Sequence, residues 1–224
     1  MEQRVLSSES IAEDSATIIF QYIQKTLKHK REFNLALSGG ESPVKLYELL
    51  AYKLNILQNL KINVFQVDER YVLQNHKDSN QLMIKKSFVD LLDNKNRISS
   101  YFYNTVLPIA EAANAYDELL GEYTMDLAIM GVGMDGHTAS LFPNDKYMQI
   151  PSDKKVVFTK EHNGYPRLTM TLSSLLCCSQ LVFYVPGVAK RKIVEKILDV
   201  KNSDSLPSSY LLHKHSNAII MCEK

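Results

Sequence analysis

Cysteine is scarce in this 224-residue chain, and the three present, Cys177, Cys178 and Cys222, show no CxxC spacing. An odd number placed in this way argues against a disulfide framework and against a thiolate zinc site. The three read as small buried hydrophobes. Charge of one sign is lacking as well: the formal net charge is +1, and the sequence contains no long block of like charges. A basic arm or acidic tail would show about five or six in a block, so nucleic acid and other polyanions are disfavoured as partners. No apolar run approaches the roughly 18 residues of a membrane span. The first ten residues lack the basic-then-apolar pattern of a secretory signal, so a soluble, cytoplasmic protein is expected. Internal repeats, low-complexity tracts and linker-like composition shifts are also missing.

What is present is a globular composition, 45% hydrophobic and 23% charged, long enough for a full core and short enough for one domain, residues 1–224. Amphipathic segments alternate with short apolar runs, the rhythm of an α/β fold with a mostly parallel sheet flanked by helices. Ile11, Ile18, Ile19, Tyr22, Ile23 and Leu27 recur at helical spacing. Further helices are expected from Ser42-Pro43 onward, with Ser42 as cap and Pro43 at the first helical position, and over 79–92, 109–123 and 188–198. The last of these should bury Val188, Ile193, Val194, Ile197 and Leu198. Strands are expected at 33–37, 62–67, 98–103, 126–130, 155–159, 167–172, 181–185 and 218–222.

Four constellations carry candidate chemistry. Ser38-Gly39-Gly40-Glu41-Ser42-Pro43 turns from strand to helix and offers backbone N–H groups suited to an anion, although an ordinary capped turn has the same composition. Val67-Asp68-Glu69-Arg70 places three charges at a strand's carboxyl end. Arg70 there is either a fork for phosphate or carboxylate or half of a solvated Asp-Arg pair. Gly131-Val132-Gly133-Met134-Asp135-Gly136-His137 follows a buried-strand pattern and holds a histidine in a glycine-rich turn, with Asp135 near enough to orient it. Its formal match to GxGxxG is no dinucleotide site, because Pro143 stops any helix within a few residues and no acid ends the next apolar run. Arg167 and Lys190 lie near strand ends, and Lys190 in a helix's first turn is unfavourable unless an anion is close. The other histidines, His29, His76, His162, His213 and His215, lack such a setting.

Taken in order, SGGESP, VDER with Ser79-Asn80, GVGMDGHTASLFP, RLTMT and PGVAK resemble the 6-phosphogluconolactonases across nearly the whole chain. The related glucosamine-6-phosphate deaminases share SGG, DGH and the late lysine. They differ where this chain reads Thr138-Ala139-Ser140-Leu141-Phe142-Pro143, and they usually carry tyrosine at the position of Arg70. The resemblance implies a modified Rossmann-like (NagB/RpiA-like) domain that hydrolyses 6-phospho-D-glucono-1,5-lactone without metal or organic cofactor. His137 would be the acid/base, Asp135 its orienter and Arg70 an oxyanion donor. Ser38, Gly39, Gly40, Arg167 and Lys190 would hold the phosphate, with Asp68 among the substrate-binding residues. Glu41 departs from the small or hydroxyl residue usual in the turn and is expected to point outward. The missing GxSxG elbow argues against a serine nucleophile, and Ser140 reads as packing. The expected assembly is a monomer or weak homodimer. An amino-sugar-phosphate isomerase or deaminase and a non-catalytic sugar-phosphate sensor remain the competing readings.

Overall fold

A computed structural model describes residues 4–57, 60–93, 97–144 and 153–224. In chain order the elements are β1 (Arg4–Ser8), α1 (Ile11–Leu27), β2 (Phe33–Leu37), α2 (Val44–Leu54), β3 (Lys61–Gln66), β4 (Asp68–Arg70), α3 (Asn80–Ser87) and β5 (Arg97–Tyr101). They continue with α4 (Ile109–Gly121), β6 (Leu127–Met130), β7 (Val156–His162), β8 (Tyr165–Met170), α5 (Leu172–Leu176), β9 (Leu181–Val185), α6 (Arg191–Leu198), α7 (Pro207–Lys214) and β10 (Ala218–Glu223). Seven strands pair in the order β1-β10-β9-β6-β2-β3-β5, every pairing parallel. No helix among the described residues is long and apolar enough to cross a membrane.

A sheet covered on both faces is built from apolar runs, and β2, β6 and β9 are buried along their whole length. Alternate residues of each strand serve opposite layers. Leu35, Leu37, Ile62, Val64, Ile129 and Tyr184 pack with Ile19, Ile23, Leu46 and Leu50 of α1 and α2. Ala36, Phe65, Met130 and Phe183 pack on the other side with Tyr116 of α4 and Ile197 of α6. Each fully buried large apolar side chain contributes roughly 1.5–3 kcal/mol.

The strands at 155–159 and 167–172 do not join the parallel sheet. They form β7 and β8, an antiparallel pair to which β4 adds through Asp68↔Thr169, Glu69↔Leu168 and Arg70↔Arg167. Their connection explains the difference. Asn163 and Gly164 both adopt positive φ, 52° and 85°, as in a two-residue hairpin turn, and so short a link permits only antiparallel pairing. Leu168 and Met170 of this hairpin enter the same core layer as Phe65 and Met130.

Several local expectations are corrected. Pro43 is the N-cap of α2 rather than its first residue, and Ser42 makes no capping bond. Ile18 is on the open side of α1, and Val188 is exposed because α6 begins only at Arg191. A short 3-10 turn, Val188–Lys190, precedes it, so Lys190 is the N-cap of α6 rather than a first-turn residue. Cys178 and Cys222 are buried as expected, but Cys177, at the C-cap of α5, is exposed.

One buried carboxylate ties β3, β4 and α3 together. Glu69, on the face of β4 opposite Asp68 and Arg70, accepts from Gln66 Nε2, Ser79 Oγ and the backbone N–H groups of Arg70, Asn80 and Gln81 at 2.7–3.1 Å. Burial raises its pKa while these donors oppose the rise. Glu69→Ala would leave several buried donors without a partner and should lower unfolding stability by about 3–5 kcal/mol in denaturant titration.

Candidate active site

The main sheet changes winding direction between β2 and β6, whose neighbours lie on opposite sides of the pair. At such a point the loops beyond the carboxyl ends part and leave a crevice. Here those loops are Ser38-Gly39-Gly40 after β2 and 131–143 after β6, joined where Gly131 N donates to Ser38 Oγ at 3.2 Å. Tyr47 Oη holds the first turn from below by donating to the Ser38 carbonyl. Gly40 sits at φ 90°, and a Cβ on Gly39 would fall 1.9 Å from Asn80 Cγ. Gly39 thus serves close approach, and Gly40 a backbone angle that residues with a Cβ rarely adopt.

The loop after β6 is wound on itself. Gly133 N donates to the His137 carbonyl, Gly136 N to the Gly133 carbonyl, and Thr138 Oγ1 to the Gly131 carbonyl. Ser208 anchors the Gly136 carbonyl through Oγ at 2.7 Å. Among the described residues 131–144 no helix opens at the glycines, as a dinucleotide fingerprint would require. Within the loop His137 Nδ1 lies 2.6 Å from Asp135 Oδ1, which also accepts from the His137 backbone N–H. Burial alone would raise the Asp135 carboxyl, yet that N–H and the facing imidazole hold it below the ordinary carboxylate range. An ionised carboxylate only accepts, so the proton of a neutral imidazole belongs on Nδ1 and the Nε2 lone pair remains for the cleft. A Cβ on Gly133 would stand 2.2 Å from His137 Nδ1 and Cε1, which makes glycine there a condition of the pair.

The opposite wall comes from β4 and β8. Asp68 accepts from Ser140 Oγ at 2.7 Å, so Ser140 is a polar brace between loop and strand rather than mere packing. Asn80 Nδ2 donates to the Asp68 carbonyl. Arg70 Nη1 donates to the Asp78 carbonyl, and Arg167 Nη2 to that of His162. The two arginines stand directly opposite in the β4–β8 register, an unfavourable pairing of like charges. Burial and then Arg70 depress the pKa of Arg167, whose buried Nε has no hydrogen-bond partner among the described residues. Lys190 Nζ reaches across to the Val132 carbonyl at 3.0 Å, and burial lowers its pKa.

These walls enclose a cleft of about 250 Å³ lined by Ser38, Gly39, Gly40, Asp68, Arg70, His137, Arg167 and Lys190. Asp135 stands behind the imidazole, and Glu41 is exposed and off the wall, as expected. Two residues that the sequence does not single out as candidates also belong here. Asn80, only a motif position in the sequence, lines the cleft and leaves Oδ1 without a partner among the described residues. His162, which the sequence groups with the other histidines, lies in the cleft with its ring 6.4 Å from that of His137. Its signal is the Asn163-Gly164 hairpin tip, legible only once that hairpin is seen to fold over the crevice. No group of three histidine, cysteine, aspartate or glutamate residues among those described is arranged to hold a metal ion. A larger groove of about 620 Å³ lies at the amino-terminal end of the strands, lined by Lys25, Lys28, Arg31 and Lys61. Two of its cations are tied up in ion pairs, Lys61 with Glu32 and Lys30 with Asp126, and no histidine lines it, so the smaller cleft with its oriented imidazole is the stronger candidate site.

Residues 6–221 match the profile of the family described as glucosamine-6-phosphate isomerases/6-phosphogluconolactonase. A 6-phosphogluconolactonase of Helicobacter pylori is 34% identical over 201 residues, covering 86% of this chain and 84% of that protein. One from Nostoc is 30% identical over 88% of this chain and 85% of its own. The crystal structure of 6-phosphogluconolactonase from Thermotoga maritima superposes with a TM-score of 0.84 at 26% identity, with all of both chains covered. A monomeric glucosamine-6-phosphate deaminase shares the fold at 18% identity, with a TM-score of 0.84 over 100% of this chain and 98% of its own.

Gly133→Ala should drive the imidazole off Asp135 while leaving the core intact. NMR of the histidine ring nitrogens should show the bonded Nδ1 signature lost, with the thermal midpoint shifted by no more than about 4 °C, as for a change near 1 kcal/mol in a domain of this size.

Proposed function

Because the chain belongs to the family of glucosamine-6-phosphate isomerases and 6-phosphogluconolactonases, we propose that it hydrolyses 6-phospho-D-glucono-1,5-lactone to 6-phospho-D-gluconate, the second step of the oxidative pentose phosphate pathway. The observation that carries this reading is the sharing of one cleft by the Asp135-oriented imidazole and the Arg70, Arg167 and Lys190 cations. Ester hydrolysis needs a base beside the carbonyl, and the phosphate needs cations away from it. The cleft has both.

In this mechanism His137 Nε2 removes a proton from water as the water oxygen bonds to the lactone carbonyl carbon. The carbonyl π electrons move to oxygen and give a tetrahedral oxyanion. When that intermediate collapses, the bond between the former carbonyl carbon and the ring oxygen breaks, and the imidazolium returns its proton to the departing oxygen. Asp135 keeps the ring in one tautomer and stabilises its charged form. Donors aimed at the oxyanion contribute roughly 3–4 kcal/mol to such a step, a role for backbone amides of the glycine loops or for Arg70. The phosphate is held by the Ser38-Gly39-Gly40 turn, Arg167 and Lys190, with Asp68 completing the substrate wall. That remote grip fixes the carbonyl against the base.

A coupled assay on freshly generated lactone, with spontaneous hydrolysis subtracted, tests the proposal. Wild-type protein should accelerate the reaction, and His137→Ala should lower kcat about 10²- to 10⁴-fold. Arg167→Ala should raise KM roughly 10- to 100-fold, as expected from the loss of a charge-assisted contact. Ser140→Ala should keep measurable turnover; a dead Ser140 variant beside a live His137 variant would refute the assignment. A rate no faster than the spontaneous one would mark a sensor, and ammonia released from glucosamine 6-phosphate would mark a deaminase.

A further inference from the structure

The geometry points to His162 as a further substrate-contacting residue, one that hydrogen-bonds a ring hydroxyl of the bound sugar lactone and so sets how tightly the ring, as distinct from the phosphate, is held. This inference rests on the lactone reading above. Three features place the side chain. The pairing of β7 with β8 is irregular between Thr159 and His162, the kind of shift that re-aims a side chain. The Asn163-Gly164 turn then brings the hairpin tip over the crevice, and Arg167 Nη2 pins the His162 carbonyl at 3.0 Å. One face of the imidazole is stacked on Phe142, centroids 3.6 Å apart and planes at 25°. That stack fixes the plane of the ring, and neither ring nitrogen has a hydrogen-bond partner among the described residues, so the polar edge is open to a ligand in the cleft.

The chemistry of the edge selects the kind of group it meets. Burial depresses the His162 pKa, the neighbouring His137 and Arg167 act in the same direction, and Asp135 opposes them more weakly. A neutral imidazole has one donor and one acceptor. That pair suits a hydroxyl, which gives and takes, and suits a phosphate poorly, since a phosphate only takes. Its ring lies 6.4 Å from that of His137 and its carbonyl accepts from Arg167, so His162 stands between the proposed base and a proposed phosphate cation, where the body of a sugar lactone would carry its hydroxyls.

The test uses the wild-type protein and the variants His162→Phe, His162→Ala and His162→Gln in the lactone assay, each checked for an unchanged thermal midpoint. Wild-type activity comes first: if it is absent, the lactone reading fails and this inference with it. With activity present, Phe and Ala should each raise KM about five- to tenfold, the worth of one neutral hydrogen bond, with kcat within about twofold. Gln should recover most of the loss. The Phe variant keeps the stack on Phe142, so it decides the matter even if Ala is unstable. A Phe variant with wild-type KM, or one in which kcat falls while KM stays, would overturn the role of His162 and leave the lactonase reading standing.

Discussion

The parallel pairing of β2 with β6 is the constraint on which the site depends. From β2 the chain lays down β3 and β5 on one side, and from β6 it lays down β9 and β10 on the other. The connections beyond the carboxyl ends of the central pair must therefore leave in opposite directions, and no backbone fills the space between them. Ser38 and Gly131 are the first residues past the two strands, and the hydrogen bond between them sets how far that space can open. The His137 loop and the Ser38-Gly39-Gly40 turn both descend from this single topological fact, and β4 joins them from the end of the neighbouring β3.

Holding the crevice in shape falls to buried polar groups that take no chemical part. A carboxylate removed from water has to recover several kcal/mol of lost hydration, and five donors converge on Glu69 to offset it. Because those donors belong to β3, β4 and the first turn of α3, the carboxylate fixes α3 relative to β4. Asn80 is then presented to Gly39 at a distance that no side chain at 39 would allow. Asp68 extends the chain of contacts through Ser140 to the loop bearing His137. The two walls of the cleft are thus linked through hydrogen bonds as well as through the apolar layer that Val132 and Leu141 share with Leu168, and the hydrogen bonds add a fixed orientation.

Sequence patterning carries most of this because apolar periodicity reports burial, and burial dominates in a sheet covered on both faces. The runs at β2, β6 and β9 need no tertiary information. What patterning misses has weak or misleading local signals. The strand β4 consists of Asp68, Glu69 and Arg70, whose charges argue for a loop; only pairing with β8 makes them a strand. The edge strand β1, Arg4–Ser8, and the helix α7, Pro207–Lys214, are too short for a period to stand out. The hairpin β7–β8 is legible as two strands, but its direction is encoded in Asn163-Gly164 rather than in the strands. His162 follows from that turn, and so is invisible when each histidine is weighed by its immediate neighbours. His137 stands out because three glycines and an acid surround it within a few residues, a purely local signature.

The charge arrangement in the cleft explains why recognition and chemistry can be separated. Arg70, Arg167 and Lys190 face the same space, with Asp68 the carboxylate on its wall, although the whole chain carries a net charge of only +1. Opposed guanidiniums repel, and burial has already lowered the proton affinity of Arg167 and Lys190. On the proposed reading, a phosphate dianion held by Arg167 and Lys190 would relieve both costs at once, so its binding would be driven as much by the repulsion it removes as by the hydrogen bonds it forms. That energy would be nearly the same for the lactone and for its transition state, because the phosphate does not change during hydrolysis. Taken alone it would lower KM without raising kcat. On the proposed reading the acceleration would have to arise at the Asp135–His137 pair and the oxyanion donors, which would meet charge that exists only while the ester bond is being broken. A site of this kind holds its substrate by the part that is inert and reserves the oriented imidazole for the part that reacts.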